Sequence, residues 1–176
     1  MCGICGIVDY EQGRPIPPDL VDRMRDTMIN RGPDDAGTTI LPQVGLAHRR
    51  LSILDLSPRG RQPMSNEDGS VWLVFNGEIY DFETLRAELL AAGHRFTSDS
   101  DSDVLVHGYE QWGIHGLLER LNGMFAFAIW DAPRRTLHLA RDRLGKKPLY
   151  YGWHAGRLLF ASELKALRAA RPDLRV

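Results

Sequence analysis

The sequence lacks the features that mark several large classes of protein. Its 22 Lys and Arg residues are balanced by 23 Asp and Glu residues, so the formal net charge of the 176-residue chain is −1 at pH 7. Such a balance argues against a nucleic acid or an anionic membrane surface as a partner. No apolar run approaches the roughly 18–20 residues of a membrane span, and the N-terminus has no signal-peptide pattern. We therefore expect a cytoplasmic protein.

The sequence also has few cysteines, and its histidines lack the spacing of common metal-binding motifs. The two cysteines, Cys2 and Cys5, lie too close in sequence to join distant parts of a fold, which excludes a disulfide-rich secreted scaffold. They form a C-x-x-C motif, but it precedes a strand-like segment, and structural zinc would need two further ligands. The six histidines show no H-x-H or H-E-x-x-H spacing. We therefore expect no metal site, keep a zinc or redox centre as a minor alternative, and place Cys5 in the core.

The sequence does contain many short strand signals and three helix signals. With 43% hydrophobic and 26% charged residues, it is typical of a globular domain with a core. Helices are predicted after Pro18, between Asp81 and Gly93, and before Gly113, where apolar residues recur every three or four positions. Tight turns favour antiparallel pairing, so we predict an α+β layered sandwich. The predicted strands are Gly3–Asp9, Gly45–Ala47, Trp72–Phe75, Met124–Asp131, Thr136–Ala140, Leu149–Trp153 and Leu158–Ala161.

Cys2 is the most informative single residue. Removal of Met1, which precedes a small second residue, would leave a thiol and a free α-amine on Cys2. The reference pKa of a thiol is about 8.5 and that of an α-amine about 7.7–8.0, so part of the amine is unprotonated at neutral pH. A terminal residue of this kind supplies both a nucleophile and its base. The alternative is an ordinary small core cysteine.

Asn76-Gly77 follows a predicted strand and has two interpretations. Asn-Gly is a common hairpin turn, but the next residues lead into a helix rather than a matching return strand. The second interpretation is an oxyanion site, in which the Asn amide and the following backbone N–H stabilise charge on a carbonyl oxygen.

Two charged segments are further candidates for binding. Asp99–Asp103 resembles a calcium loop, but Val104 occupies the position that needs glycine. We therefore predict a helix N-terminus with Ser100 and Asp103 as a capping box, which leaves one carboxylate to face a ligand ammonium. In His48-Arg49-Arg50 a guanidinium could bind a carboxylate in a bidentate fork, although exposure to solvent is the simpler expectation for either arginine alone.

Seven motifs in order resemble the N-terminal glutaminase domain of the class II glutamine amidotransferases, an N-terminal nucleophile (Ntn) hydrolase fold. The style of the motifs is that of glutamine-hydrolysing asparagine synthetases. Each motif is modest by itself, and the series in register is specific. The motifs are Met1–Ile4, Arg31–Asp34, Ala47–Ile53, Phe75–Tyr80, Ser100-Asp101, Arg141–Tyr151 and Phe160–Leu167.

The resemblance implies a fold and a role for each site residue. The fold would be a four-layer αββα sandwich of two mainly antiparallel sheets. Cys2 would be the nucleophile and, through its α-amine, the base, while Asn76 and Gly77 would form the oxyanion hole. Arg50 would bind the α-carboxylate of L-glutamine and Asp101 its α-ammonium. The remaining implied lining residues of the glutamine pocket are Leu51, Ser52, Ile53, Leu54 and Glu78.

The resemblance also implies partners beyond this sequence. Residues 1–167 would be the glutaminase domain and 168–176 the start of a linker to a C-terminal synthetase domain, with a homodimer as a possible assembly. The glutaminase domain would need no cofactor, and ATP and Mg would belong to the synthetase domain, whose Ser-Gly-Gly-x-Asp-Ser loop does not occur here. Two alternatives stay open: an amidotransferase with an acceptor other than aspartate, and a non-catalytic regulatory module.

Overall fold

Two antiparallel sheets lie at the centre of the structure, a computed structural model that describes residues 1–11, 14–53 and 57–171. The first sheet has the strand order β2-β3-β1-β9-β8 and the second the order β4-β5-β6-β7. The strands are β1 (Gly3–Asp9), β2 (Asp35–Ile40), β3 (Val44–Arg50), β4 (Met64–Ser65), β5 (Val71–Ile79), β6 (Gly123–Asp131), β7 (Thr136–Arg141), β8 (Tyr150–His154) and β9 (Arg157–Ala161).

Helices cover the outer face of each sheet. Helices α1 (Pro18–Asp26) and α4 (Leu164–Ala170) pack on the first sheet, and α2 (Phe82–Ala91) and α3 (Asp101–Arg120) pack against the second. A third apolar cluster, which includes Phe160 and Trp130, fills the space between the sheets. The predicted four-layer αββα sandwich is therefore confirmed. None of the described helices has the length and apolar character needed to cross a membrane.

Agreement with the predicted elements depends on the strength of the local pattern. All seven predicted strands are present, and β1 has the predicted bounds. The sequence gives no signal for β2, whose Asp-Ala-Gly-Thr-Thr-Ile segment lacks apolar alternation, or for the two-residue β4. The short helix α4 was also not predicted; it extends to Ala170, past the predicted linker start at residue 168, and residues 172–176 lie outside the described part.

Helix α3 differs from the prediction at both ends. Gly113 has φ 66° and ψ 178°, which kinks the chain there, but helix resumes and continues to Arg120. At the N-terminus Ser100 Oγ accepts a hydrogen bond from Ser102 N at 3.2 Å, as a cap should. The second half of the predicted capping box is wrong. Asp103 Oδ2 accepts at 2.8 Å from the backbone N–H of Ser98, two residues before the cap, and the N–H of Ser100 itself donates to Ser98 Oγ at 3.2 Å. Asp103 thereby fixes the segment that leads into the helix.

Candidate functional site

A cavity of about 290 Å³ opens at one end of the sandwich, where β1 and α3 begin, β3 ends and β5 passes across. It brings together residues that are far apart in the sequence. The lining residues are Met1, Cys2, His48, Arg50, Leu51, Ile53, Gly60, Gln62, Phe75, Asn76, Gly77, Glu78, Ser100, Asp101, Ser102, Met124 and Lys147.

The Cys2 thiol lies at the wall of this cavity, just before β1. Its Sγ is 3.4 Å from the backbone N of Leu51, which donates to it, and 3.7 Å from the Leu51 carbonyl oxygen. Burial raises the pKa of the Cys2 thiol above its ordinary value, although the hydrogen bond from Leu51 and the nearby N-terminal charge oppose this effect. The resting side chain is therefore a neutral thiol at neutral pH, which needs a base before it can act as a nucleophile.

Arg31 fixes the backbone of Cys2. Its Nε donates to the Cys2 carbonyl oxygen at 2.8 Å, and its Nη1 pairs with Glu163 at 3.3 Å. Gly32 and Asp34 in the same motif hold the end of β3. The Gly32 carbonyl accepts from Arg49 Nε at 2.9 Å, and Asp34 N donates to the Arg50 carbonyl at 3.0 Å. The motif Arg31–Asp34 therefore contacts both the backbone of Cys2 and the strand that carries Arg50.

Asn76-Gly77 lies inside β5 and does not form a hairpin turn. The pairs Asn76–Ala126 and Gly77–Phe125 continue the ladder with β6. Successive residues of an antiparallel strand direct their backbone N–H and C=O groups to opposite edges, so residues two apart share an edge. Phe75 N and Ile79 N bind side chains on the edge away from β6, so Gly77 N–H between them points to the same edge and into the cavity.

Glycine is the only residue type that fits at position 77. A Cβ there would collide with the backbone of Met124 and Phe125 on the neighbouring strand. The close approach of β6 therefore explains the glycine without any need for a turn.

The Asn76 side chain presents its amide to the cavity from the face of β5 that lies toward the first sheet. Its strand neighbour Val74, two residues before, packs between the sheets, so the Asn76 side chain points toward the first sheet and the start of β1. It is 1% exposed, and its Nδ2 has no hydrogen-bond partner among the described residues. A buried donor without a partner costs about 1–3 kcal/mol, a cost that an acceptor on a molecule bound in the cavity would remove.

Two buried side chains position β5 next to Asn76. His48 Nε2 donates to the Phe75 carbonyl at 3.1 Å, and Gln62 Oε1 accepts from Phe75 N at 2.6 Å while Gln62 Nε2 donates to Ser102 Oγ at 3.1 Å. Burial lowers the pKa of His48 to about 4, so it is neutral at neutral pH. Sequence inspection did not single out either residue, because nothing in their local pattern reveals a contact across sheets.

Arg50 and Asp101 provide opposite charges within the cavity. Arg50, the last residue of β3, is 7% exposed and donates from Nη1 to the Ser57 carbonyl at 3.0 Å. Asp101, the first residue of α3, accepts from Ile79 N at 3.0 Å through Oδ2. Burial raises the pKa of the Asp101 carboxyl, against the effect of these hydrogen bonds. Both charged groups border the cavity that contains the thiol.

The remaining predicted lining residues are divided. Leu51, Ile53 and Glu78 line the cavity. The backbone N–H of Ser52 is taken by Asp34 Oδ2 at 2.8 Å, and Ser52 is outside the lining set. Leu54 lies outside the described residues.

A buried lysine also reaches the cavity. Lys147, 7% exposed, reaches it from the segment after β7, where Asp142 Oδ2 accepts from Lys147 N at 3.0 Å. Lys147 belongs to the motif Arg141–Tyr151 but was not among the predicted site residues.

Cys5 is fully buried in the cluster under α1 and α4, away from the cavity lining, and burial raises the pKa of its thiol. Its predicted placement in the core is confirmed.

The two sheets, with a partly buried thiol just before the central strand β1, have the same fold as a solved amidotransferase structure. The solved structure of glutamine phosphoribosylpyrophosphate amidotransferase from B. subtilis, complexed with ADP and GMP, superposes with a TM-score of 0.79 at 23% identity, over 96% of this chain and 43% of that one. The chain belongs to the glutamine amidotransferase domain family, whose sequence profile matches residues 1–175.

Curated relatives share the sequence along nearly its whole length. Asparagine synthetase [glutamine-hydrolyzing] 3 of Bacillus subtilis is 43% identical over 99% of this chain. Asparagine synthetase [glutamine-hydrolyzing] 2 of the same organism is 45% identical over 95% of the chain. The chain spans only 28% and 22% of the length of these two relatives.

Proposed function

We propose that this chain hydrolyses L-glutamine to glutamate and ammonia through a γ-glutamyl thioester on Cys2. The observation that carries the proposal is the single cavity that contains a thiol, an unpartnered amide donor, a guanidinium and a carboxylate. Membership of the glutamine amidotransferase domain family and the names of the relatives support glutamine as the substrate. The same arrangement weighs against a purely regulatory module, which has no use for an unpaired buried donor beside a thiol.

The reaction begins after removal of Met1. The α-amine of Cys2 takes the thiol proton, and the thiolate sulfur attacks the side-chain amide carbon of glutamine. The carbon–nitrogen bond then breaks as the α-ammonium returns the proton to the leaving nitrogen, which departs as ammonia. A water molecule, deprotonated by the same amine, attacks the thioester and releases glutamate, which restores the thiol.

The donors on β5 stabilise the tetrahedral intermediates. The Asn76 amide and the Gly77 N–H both reach the cavity and would share the negative charge on the former carbonyl oxygen. Phe75 is held by His48 and Gln62 through both of its backbone groups, so the donors are fixed before the substrate binds.

Opposite charges orient the substrate's amino-acid end. Arg50 would bind the α-carboxylate, and Asp101 the α-ammonium. Leu51, Ile53 and Glu78 would surround the rest of the substrate. The contacts of Ser52 and Leu54 with the substrate, which the resemblance implies, stay part of the proposal.

In the whole protein, the ammonia would pass to an ATP- and Mg-dependent synthetase domain that amidates aspartate. The names of the 43% and 45% identical relatives support this acceptor over a different carboxylate. The linker from residue 168, a homodimeric assembly and a cytoplasmic location belong to the same proposal, and the glutaminase step itself needs no cofactor.

Substitution of the two cysteines tests the proposal. Cys2→Ala removes the nucleophile and is expected to abolish ammonia release from glutamine while the circular dichroism spectrum stays unchanged. Cys5→Ala, the matched control in the core, is expected to retain activity. A glutamine-like electrophile such as 6-diazo-5-oxo-norleucine should label Cys2 alone, as read by peptide mass mapping after intact-mass confirmation that Met1 is gone. Ammonia release by folded Cys2→Ala, or labelling at Cys5, would contradict the mechanism.

A further inference from the structure

Outside the cavity, three side chains with metal-ligating atoms meet where the chain passes from α2 to α3. His94 directly follows Gly93 at the end of α2, and His107 and Glu110 lie on one face of α3, three residues apart. Within the described part of the chain, each of the three offers one ligand atom, and these atoms lie within 4.8 Å of one another. None of them lines the cavity that contains Cys2.

The distances are those of a small coordination shell. Glu110 Oε2 is 3.0 Å from His107 Nδ1 and 3.9 Å from His94 Nδ1. In a tetrahedral zinc site with bonds of about 2.0–2.1 Å, neighbouring ligand atoms lie about 3.3–3.4 Å apart. These two separations fall on either side of that value, and all three ligand atoms lie within 4.8 Å of one another, so rotation of the side chains would have to complete the shell around an ion.

Neighbouring groups already orient two of the ligands. Asn66 Nδ2 donates to Glu110 Oε1 at 2.8 Å, which leaves Oε2 to face the histidines. His94 Nε2 and Gln111 Oε1 are 3.0 Å apart, so a proton on Nε2 leaves the Nδ1 lone pair directed at Glu110. Protein metal sites commonly hold their histidines by such a bond from the second ring nitrogen. His107 is 3% exposed, which shields the site on one side.

We propose that His94, His107 and Glu110 bind a divalent cation of the class that prefers imidazole nitrogen, with Zn²⁺ as the matching ion. Two imidazole nitrogens and one carboxylate oxygen form a known donor set for zinc, which leaves a fourth position for water. Mg²⁺ and Ca²⁺ prefer oxygen ligands alone. To bind the ion through Nδ1, neutral His107 changes to the tautomer that carries its single proton on Nε2, and the bound ion joins the α2–α3 connection to α3.

Isothermal titration calorimetry with Zn²⁺ tests the site. The 176-residue chain carries Cys2→Ala throughout, because the thiol would itself bind zinc. We expect one ion per chain, no binding of Mg²⁺, and a loss of Zn²⁺ affinity of at least tenfold in His94→Ala and in Glu110→Gln. Both positions are partly exposed, so these variants avoid the folding risk of changing buried His107. His115→Ala, an exposed histidine on the same helix, is the matched control and should bind as the parent does.

Thermal denaturation supplies a second readout. Saturating Zn²⁺ is expected to raise the Tm of the parent and of His115→Ala but not that of His94→Ala, because only ion bound to the folded site stabilises it. The site is refuted if the folded parent binds no Zn²⁺, if His94→Ala and Glu110→Gln bind as the parent does, or if His115→Ala loses the ion.

Discussion

Among the individual residues, Asn76 combines two properties that rarely occur together. Its side chain is buried, and its amide nitrogen has no partner in the described part of the chain. Asn66 is a useful contrast, because it is equally buried but makes hydrogen bonds to Ser70, Glu110 and Val71. One asparagine therefore serves the fold, and the other is available to a ligand.

This contrast gives a prediction for two matched variants. Asn76→Ala should lower kcat for glutamine hydrolysis by about 10²–10³-fold, because the lost donor faces developing charge, while the free energy of unfolding is unchanged or slightly higher. Asn66→Ala should do the opposite, with a loss of about 1–3 kcal/mol in stability and little change in kcat. Steady-state kinetics and urea denaturation measure the two effects. An Asn76 variant with unchanged kcat would refute the oxyanion assignment.

A second residue-scale prediction separates binding from chemistry. Asp101 and Arg50 would contact parts of glutamine that do not change charge in the reaction, so Asp101→Asn and Arg50→Ala should mainly raise KM. The expected loss in kcat/KM is about 2–3 kcal/mol for each charge-assisted contact. Asp103→Asn is the control, since Asp103 is also buried at the start of α3 but binds Thr97 and Ser98. A kcat effect with unchanged KM in Asp101→Asn would count against its proposed role.

At the scale of elements, the site depends on how β5 meets its neighbours. The short strand β4 pairs with β5 only at Trp72 and Leu73, so the edge of β5 beyond Leu73 has no strand partner among the described residues. Side chains from three separate segments occupy that edge instead: His48 from β3, Gln62 from the segment before β4, and Asp101 from α3. The gap left between them at Gly77 is the part of the edge that faces the cavity.

The contact from β3 to β5 makes stability depend on pH. The pKa of His48 is lowered from 6.5 to about 4 by burial, so the unfolded chain binds more protons than the folded chain between those values. The contribution of neutral His48 to the free energy of unfolding is fully present above about pH 6.5. It is lost as the pH falls toward 4, and the loss is about 3 kcal/mol at 1.36 kcal/mol per pKa unit. The substitution His48→Gln keeps a donor for the Phe75 carbonyl but has no group that titrates in this range. It should therefore remove the part of the acid-induced loss of stability that is due to His48. Urea denaturation of both proteins at pH 7, 5.5 and 4.5 measures the free energy of unfolding at each pH. If it falls equally in both proteins as the pH is lowered, the assignment to His48 is refuted.

At the scale of the whole molecule, the chain is one part of a larger arrangement in its relatives, of which it spans 28% and 22%. The proposed hydrolysis of glutamine would take place in its cavity, and the 176 residues contain no Ser-Gly-Gly-x-Asp-Ser motif.

We expect the 176-residue chain to release ammonia from glutamine without making asparagine. Incubation with glutamine, aspartate and Mg-ATP, followed by amino-acid analysis, should yield glutamate and ammonia in equal amounts and no asparagine or pyrophosphate. The Cys2→Ala chain provides the blank. Asparagine formed by pure protein would mean that a second active site is present within these residues.

The sequence by itself determined the layered α+β class and singled out Cys2 as the candidate nucleophile. Strong apolar alternation predicts β1 within its bounds, and the apolar spacing after Asp81 predicts α2, because both signals arise from neighbours along the chain. Cys2 could be singled out because the hypothesis of a terminal nucleophile depends on position in the sequence alone. For Arg50, Asn76 and Asp101 the local pattern left alternatives open, and the order of the motifs selected the proposed roles.

Only the tertiary structure decided which groups share a space. Asn76-Gly77 allows a turn or a strand in sequence, and the approach of β6 selects the strand. His48, Gln62 and Lys147 reach the cavity from three separate segments, and His94 meets Glu110 across the α2–α3 connection. Contacts of this kind depend on the packing of sheets and helices against one another, which no periodicity within a single segment records.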